Sequence, residues 1–174
     1  SRSDMSYPDR RRFEAELPND IWQSDCLHGP KVLHEGKMRK SYLFAFIDDM
    51  TRLVPHAEFY LNERIGSHVD AFIKALSKRG LPRKLYVDNG PAFSTQILRH
   101  ATASLGIALI HSRPYKPEGR GKIERFFRTV RMQLLSTIED GITLEELNRR
   151  LGEWIDIYHI SRHSATREAP LDRY

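Results

Sequence analysis

Residues 41–47, with the sequence SYLFAFI, constrain the fold more than any other part of the chain. This segment is apolar on both faces, whereas a strand with one face in water alternates apolar and polar side chains. It is therefore expected to lie in the middle of a sheet that is covered on both sides. Asp48 and Asp49 follow it and predict that the strand ends there in a turn.

Two neighbouring segments also have the pattern of strands. Residues 21–28 and 53–61 are extended by this criterion, and their closeness to residues 41–47 predicts an antiparallel meander. Pro55 cannot donate a backbone hydrogen bond, so the third strand is expected at an edge or a bulge.

Beyond the meander, helices alternate with strands. The first helix is predicted with Ser67 as its N-cap, Gly80 beyond its end, and an apolar stripe formed by Val69, Phe72, Ile73 and Leu76. A strand at 84–87, a second helix capped by Ser94 and a strand at 107–110 follow.

A loop rich in proline and glycine, residues 112–121, precedes the third predicted helix. The apolar stripe of this helix is Ile123, Phe126, Phe127, Val130 and Leu134. A last helix opens with a capping box at Thr143. The chain thus predicts one α/β domain over residues 21–174, a five-stranded mixed sheet in the order βββαβαβα flanked by helices. Residues 1–20 are polar and are expected to form an N-terminal arm or the remnant of a linker.

Composition narrows the class of protein. The chain has 174 residues, 40% of them apolar and 29% charged, which is typical of a globular domain. No uncharged apolar run approaches the ~18 residues of a membrane span, and no signal-peptide pattern is present. A single cysteine, Cys26, excludes an internal disulfide and a zinc cluster built on cysteine pairs. We therefore expect a reducing, cytoplasmic setting.

The positive charge is concentrated in one segment. The net charge is +5, and residues 112–131 contain seven basic residues against two acidic ones. The basic residues are Arg113, Lys116, Arg120, Lys122, Arg125, Arg128 and Arg131. This pattern indicates a polyanionic partner, although a solvated helix face has the same composition.

Three acidic residues occupy positions that are typical of functional carboxylates. Asp25 lies within the first strand, Asp88 ends the fourth, and Glu124 opens the basic helix. If the first and fourth strands are neighbours, Asp25 and Asp88 converge, and their repulsion raises at least one pKa until a divalent metal binds. Ligands that are all oxygens favour a hard cation such as Mg²⁺.

Each of these residues also has an ordinary structural interpretation. Asp25 is consistent with a buried carboxylate bonded to backbone amides, and Asp88 with a turn former. Glu124 is consistent with a first-turn carboxylate paired with Arg128. The two aspartates that end the second strand are rival metal ligands.

The motifs around the three carboxylates resemble those of DDE transposases and retroviral integrases, whose catalytic core is ribonuclease H-like. The sequence reads Trp22-Gln23-Ser24-Asp25, then Asp88-Asn89-Gly90, then Gly121-Lys122-Ile123-Glu124-Arg125. The last two carboxylates are separated by 124 − 88 − 1 = 35 residues, which is the D,D(35)E spacing of that family. The resemblance runs from about Asn19 to Pro170 and is greatest to bacterial insertion-sequence transposases.

The resemblance implies a ribonuclease H-like fold in which Asp25, Asp88 and Glu124 are the catalytic and metal-binding residues. Two Mg²⁺ ions, with Mn²⁺ as a substitute, would clamp a phosphodiester for in-line attack by water or by a DNA 3′-hydroxyl. DNA, as transposon ends and target, would be the partner of a homodimer or higher multimer, with end recognition elsewhere in a longer protein. The implied DNA contacts are Lys116, Arg120, Lys122, Arg125, Arg128 and Arg131.

Two other functions stay open from the sequence. One is another ribonuclease H-like nuclease, acting on an RNA–DNA hybrid or a branched junction. Ribonuclease H usually needs a glutamate in the first long helix, where this chain offers only Asp70 near the predicted cap. The other is a non-catalytic nucleic-acid-binding module, for which Asp25→Asn would leave DNA binding unchanged or stronger.

Overall fold

The computed structural model describes residues 15–88, 96–111 and 121–174. In chain order the strands are β1 (Ile21–His28), β2 (Val32–His34), β3 (Lys37–Arg39), β4 (Tyr42–Asp48), β5 (His56–Tyr60), β6 (Lys84–Val87) and β7 (Ala108–His111). The helices are α1 (Ile65–Arg79), α2 (Gln96–Ser104), α3 (Gly121–Gln133), α4 (Leu144–Ile160) and α5 (Pro170–Arg173). A short 3-10 helix, Leu135–Thr137, connects α3 to the segment before α4.

Five of the strands form one mixed sheet in the order β5-β4-β1-β6-β7. β5, β4 and β1 are antiparallel neighbours, whereas β1, β6 and β7 are parallel. The predicted meander followed by parallel strands is therefore confirmed. Strand β1 is central, with an antiparallel neighbour on one side and a parallel neighbour on the other.

Helices cover both faces of this sheet. On one face, α1 and α2 pack in a cluster that includes Trp22, Phe44, Phe46, Phe72, Leu85 and Leu98. On the other face, α3 and α4 pack in a cluster that includes Leu43, Ile47, Ile123, Phe126, Val130 and Leu147. The side chains of β4 alternate between the two clusters, which explains why this strand is apolar throughout.

Helix α1 differs from its prediction in its start and its buried face. The helix begins at Ile65, so Ser67 lies within its first turn instead of capping it. The side chain of Ile73 belongs to the predicted stripe but is 56% exposed, whereas His68 is fully buried. His68 can face the sheet because its ring stacks on Phe46 and its imidazole has a hydrogen-bond partner on β1.

Two short elements, the β2–β3 hairpin and α5, are absent from the prediction. Glu35 and Gly36 turn the hairpin with φ angles of 50° and 77°, the left-handed geometry of a tight two-residue turn. The third predicted strand is shorter than expected and begins only at His56. The N–H of Val54 donates to Nε2 of His159 in α4 instead of joining the sheet.

Residues 15–20, the described end of the predicted arm, are attached to the domain. The N–H of Asn19 donates to Asp48 Oδ1 over 2.7 Å, and its side-chain oxygen accepts from Nε1 of Trp22. Ser94, the predicted cap of α2, lies outside the described residues. Across the described ranges, every helix is too short or too polar to cross a bilayer.

Candidate active site

Asp25 lies in β1, and Asp88 immediately follows the adjacent parallel strand β6 at an equivalent position. The β1–β6 ladder ends with the pair Gln23 and Tyr86, and the two aspartates each lie two residues further along their chain. Because side chains alternate along a strand, Asp25 shares a face with Gln23 and Leu27. Leu27 belongs to the α3–α4 cluster, so Asp25 is on the face that α3 covers.

The surroundings of Asp25 exclude thiol chemistry. Both aspartates are partly buried, and Asp25 Oδ1 accepts a hydrogen bond from the N–H of Cys26 over 2.8 Å. Burial, together with the carboxylates of Glu63 and Asp25, raises the pKa of the Cys26 thiol to about 12. The thiol stays protonated at neutral pH, so it is not a nucleophile.

Glu124 is in the first turn of α3 and is exposed. Its helix packs against β1 and β4, on the same face as Asp25. Within residues 15–88, 96–111 and 121–174, no three carboxylate, histidine or cysteine side chains are close enough to hold one metal ion. Asp25 and Asp88 thus follow the β1–β6 ladder at equivalent positions, and the described residues do not gather Glu124 with them into a single ligand cluster.

The rival ligands Asp48 and Asp49 are structural instead. Both are fully buried. Asp48 Oδ2 accepts from the N–H and the hydroxyl of Thr51, and burial raises the pKa of Asp48 against these hydrogen bonds. Asp49 Oδ2 accepts from the N–H of Ala15 over 2.6 Å. These contacts fix the turn after β4 and the segment that leads into β1.

Asp49 also has a partner on α3. Lys122 Nζ lies 2.8 Å from Asp49 Oδ1, and the lysine side chain is only 12% exposed. The side-chain amide of Gln23 donates to the same oxygen over 2.8 Å. Lys122, predicted as a DNA contact, thus has an acidic partner inside the protein. The sequence analysis did not foresee this ion pair.

The other predicted DNA contacts within the described residues are exposed on α3. They are Arg125, Arg128 and Arg131. Arg128 and Arg131 lie one and two turns beyond Glu124 on one flank of the helix. Lys116 and Arg120 lie outside the described residues.

A groove between α3 and α4 contains residues that the sequence analysis did not identify as functional. Its volume is about 230 Å³, and its lining includes Arg125, Trp154, Tyr158, Arg162 and His163. Burial, with added effects of three nearby guanidinium groups, lowers the pKa of His163 to about 4. The groove carries the basic side chains of Arg125 and Arg162, and the polar residues 161–164 that follow α4 were a signal for it in the sequence.

The mixed sheet in the order β5-β4-β1-β6-β7, covered by helices on both faces, is that of a ribonuclease H-like fold. A family model described as "Integrase core domain" matches residues 15–117, and a second model of the same description matches residues 105–170. The chain belongs to the integrase core domain family.

Curated relatives and solved structures agree with this placement. The transposase for transposon Tn552 of Staphylococcus aureus is 29% identical, over 92% of this chain and 38% of that protein. The HTLV-2 integrase catalytic core domain, solved in complex with magnesium, superposes with a TM-score of 0.69 at 21% identity, over 92% of this chain and 99% of that one. An intasome of simian T-cell lymphotropic virus gives a TM-score of 0.76 at 23% identity, over 92% of this chain and 55% of that one. The predicted ribonuclease H-like fold is confirmed, and the chain spans well under half the length of the transposase that it matches.

Proposed function

We propose that this chain is the catalytic core of a transposase or integrase that cuts DNA strands and joins a DNA 3′-hydroxyl to a phosphodiester. The observation that supports the proposal is the equivalent position of Asp25 and Asp88, each two residues beyond the last pair of the β1–β6 ladder, with Glu124 in the first turn of the helix that packs on the Asp25 face of β1. The family membership and the magnesium bound by the HTLV-2 core support it.

The donor set fits a hard divalent cation. Asp25 and Asp88 supply carboxylate oxygens from neighbouring strands, and Glu124 supplies a third. When bound, Mg²⁺ would stabilise negative charge on the reacting phosphate and lower the pKa of a coordinated water. The protein itself needs no covalent intermediate, which agrees with the protonated thiol of Cys26.

The exposed basic side chains of α3 would orient the DNA. Arg128 and Arg131 extend from the helix that carries Glu124, and Arg125 lines the groove beside it. Contacts of this kind go to phosphate oxygens and position the duplex without reading its sequence. Lys116, Arg120 and Lys122 complete the proposed DNA-binding set, although the Lys122 side chain also pairs with Asp49.

DNA ends and target DNA are the proposed partners, in the cytoplasm of a bacterium and on its nucleoid. A homodimer or higher multimer would hold two DNA ends together. A chain of a retroviral intasome has a similar fold, and the HTLV-2 core has been solved in dimeric and trimeric forms, which supports this part of the proposal. Recognition of specific end sequences is assigned to another part of the protein.

The test is the resolution of a branched DNA that mimics the joined product. This reaction is the chemical reverse of strand transfer, so it uses the same active site. Asp25→Asn, Asp88→Asn and Glu124→Gln are each expected to slow it by about 1,000-fold, because the metal site contributes several kcal/mol to catalysis. Asp70→Asn is the matched control, since Asp70 is exposed on α1 at the opposite face of the sheet and pairs with Lys74.

The same assay separates the alternatives. If the chain cleaves an RNA–DNA hybrid or an intact four-way junction faster than it resolves the branched DNA, the result would support another ribonuclease H-like nuclease. Tight DNA binding with no metal-dependent cleavage in the wild type, and unchanged binding in Asp25→Asn, would support a binding module and contradict the proposal.

A further inference from the structure

The side chain of Gln23 connects the two halves of the proposed active site. It is almost fully buried, and its Oε1 accepts a hydrogen bond from the N–H of Ile123 over 3.2 Å. Gln23 is two residues before Asp25 on the same face of β1, and Ile123 immediately precedes Glu124. The first-turn N–H groups of a helix have no acceptor within the helix, so Gln23 caps α3 from the strand that carries Asp25.

A buried ion pair holds the same turn of α3. Lys122, two residues before Glu124, places Nζ 2.8 Å from Oδ1 of fully buried Asp49. Asp49 Oδ1 also accepts from Gln23 Nε2, and Oδ2 accepts from the N–H of Ala15. The capping amide and the ion pair therefore share one carboxylate, and all three side chains form one connected network.

The network adds directional contacts to a helix that apolar packing alone would hold against the sheet. The rest of α3 contacts the sheet through apolar side chains such as Ile123 and Phe126, which fix no exact height or rotation of the helix. A buried ion pair adds little stability compared with apolar residues of the same size, because desolvation of both charges opposes their attraction. The ion pair and the cap instead supply directional contacts to Lys122 and Ile123, the two residues just before Glu124.

We propose that Gln23, Asp49 and Lys122 are positioning residues that set Glu124 relative to Asp25. The inference rests on the proposed function. The three side chains act through the backbone of residues 122–124 and touch neither metal nor DNA in this role. Loss of the network would leave the Asp25–Asp88 pair intact and weaken only the part of the metal site that Glu124 completes.

The kinetic test compares Lys122→Met with Lys122→Arg in the full 174-residue chain. Single-turnover rates on the branched DNA are measured at saturating enzyme over a range of Mn²⁺ concentrations, below the melting temperature of each variant. Lys122→Met is expected to lower the rate by about 100-fold at low Mn²⁺, since a displacement of ~1 Å at a catalytic group has an effect of this size. High Mn²⁺ should restore much of the rate, and Lys122→Arg, which keeps the cation, should restore most of it at every concentration.

The control is Lys74→Met, which removes an exposed lysine from an ion pair with Glu58 on the opposite face of the sheet. A rate loss in Lys122→Met that does not depend on Mn²⁺ concentration, or that Lys74→Met reproduces, would overturn the proposal. A large loss of DNA affinity at constant single-turnover rate would also overturn it, because that result would assign Lys122 to DNA. If Lys122→Met fails to fold, the double variant Asp49→Asn/Lys122→Met replaces it, since it removes both charges together.

Hydrogen exchange tests the network without any activity. In Gln23→Met, which removes both the cap and the contact with Asp49, the amides of the first turn of α3 are expected to exchange about tenfold faster, with α1 unchanged. Unchanged exchange in that turn would overturn the proposal even if the enzyme is active. If the wild-type chain is inactive while the exchange result is as expected, the proposed function fails and the positioning network stands.

Discussion

His68 makes the folded domain sensitive to acid, and His68→Phe should remove most of that contribution. The imidazole is fully buried and stacks on Phe44 and Phe46, with ring centroids 5.1 and 5.4 Å away. Its Nε2 lies 2.9 Å from Ser24 Oγ, whose own proton is donated to the carbonyl of Ala45. Nε2 must therefore donate, so the buried ring is the neutral Nε2–H tautomer.

The size of the effect follows from the pKa of this group in the two states. Burial lowers the pKa of His68 from 6.5 to about 3 in the folded protein. Below pH 6.5 the unfolded chain binds a proton that the folded chain does not, so the free energy of unfolding falls as the pH falls. At pH 6.5 the imidazole of the unfolded chain is already half protonated, and the full slope of about 1.36 kcal/mol per pH unit is reached only below that pH. The loss between pH 6.5 and 4.5 is therefore about 2.3 kcal/mol. That is a large share of the stability of an ordinary domain.

Urea unfolding of the wild type and of His68→Phe at several pH values, followed by the fluorescence of buried Trp22, measures this difference. His159 and His163 also have lowered pKa values of about 4, but they are present in both proteins and cancel. The stability of the wild type should fall by about 2.3 kcal/mol more than that of the variant between pH 6.5 and 4.5. His100→Gln, at an exposed position of α2, is the control. Parallel pH profiles for wild type and His68→Phe would refute the reasoning.

Three further predictions concern the metal, the DNA and helix α4. Crystals soaked in Mn²⁺ without DNA should show one anomalous peak within about 2.5 Å of oxygens of both Asp25 and Asp88, absent in Asp25→Asn; a peak at other residues would contradict the site. Arg128→Ala/Arg131→Ala should lower the slope of log K against log salt by about 1.8 in fluorescence anisotropy titrations, and an unchanged slope would exclude both residues from phosphate contact. Thr143→Ala removes the side-chain cap of α4 and should lower the free energy of unfolding by about 1 kcal/mol in urea titrations, whereas no change would show that the cap is dispensable.

The sequence predicts best the elements whose buried face is marked by apolar side chains within the element itself. Strand β4 is apolar at successive positions because both of its faces are covered, and the stripe of α3 is buried as its spacing predicts. The face of α1 was predicted wrongly because periodicity treats His68 as polar and Ile73 as apolar. His68 is buried by virtue of a hydrogen bond with Ser24, which is 44 residues away and on another element.

The candidate site also has a part that local sequence motifs reveal and a part that only the fold reveals. Asp25, Asp88 and Glu124 are visible in the sequence because each stands in a short local motif. The network around Asp49 is not visible, because Gln23 and Ile123 are 100 residues apart and only the fold brings them together. A turn aspartate and a lysine in a basic run have common interpretations of their own, so nothing local indicates that Asp49 and Lys122 form a buried pair.

Three successive residues of β1 show how the domain holds its central strand from both sides. Gln23 bonds toward α3, Ser24 bonds toward His68 of α1, and Asp25 lies on the same face of β1 as Gln23, toward the proposed metal site. The hydrogen bonds of the two supports go to opposite faces of the sheet: one reaches Glu124 through Ile123, and the other holds the strand beside Asp25. Changes at His68 and Lys122 should therefore have additive effects on stability. Only the change at Lys122 should alter how activity depends on metal concentration, because only that side of β1 leads to Glu124.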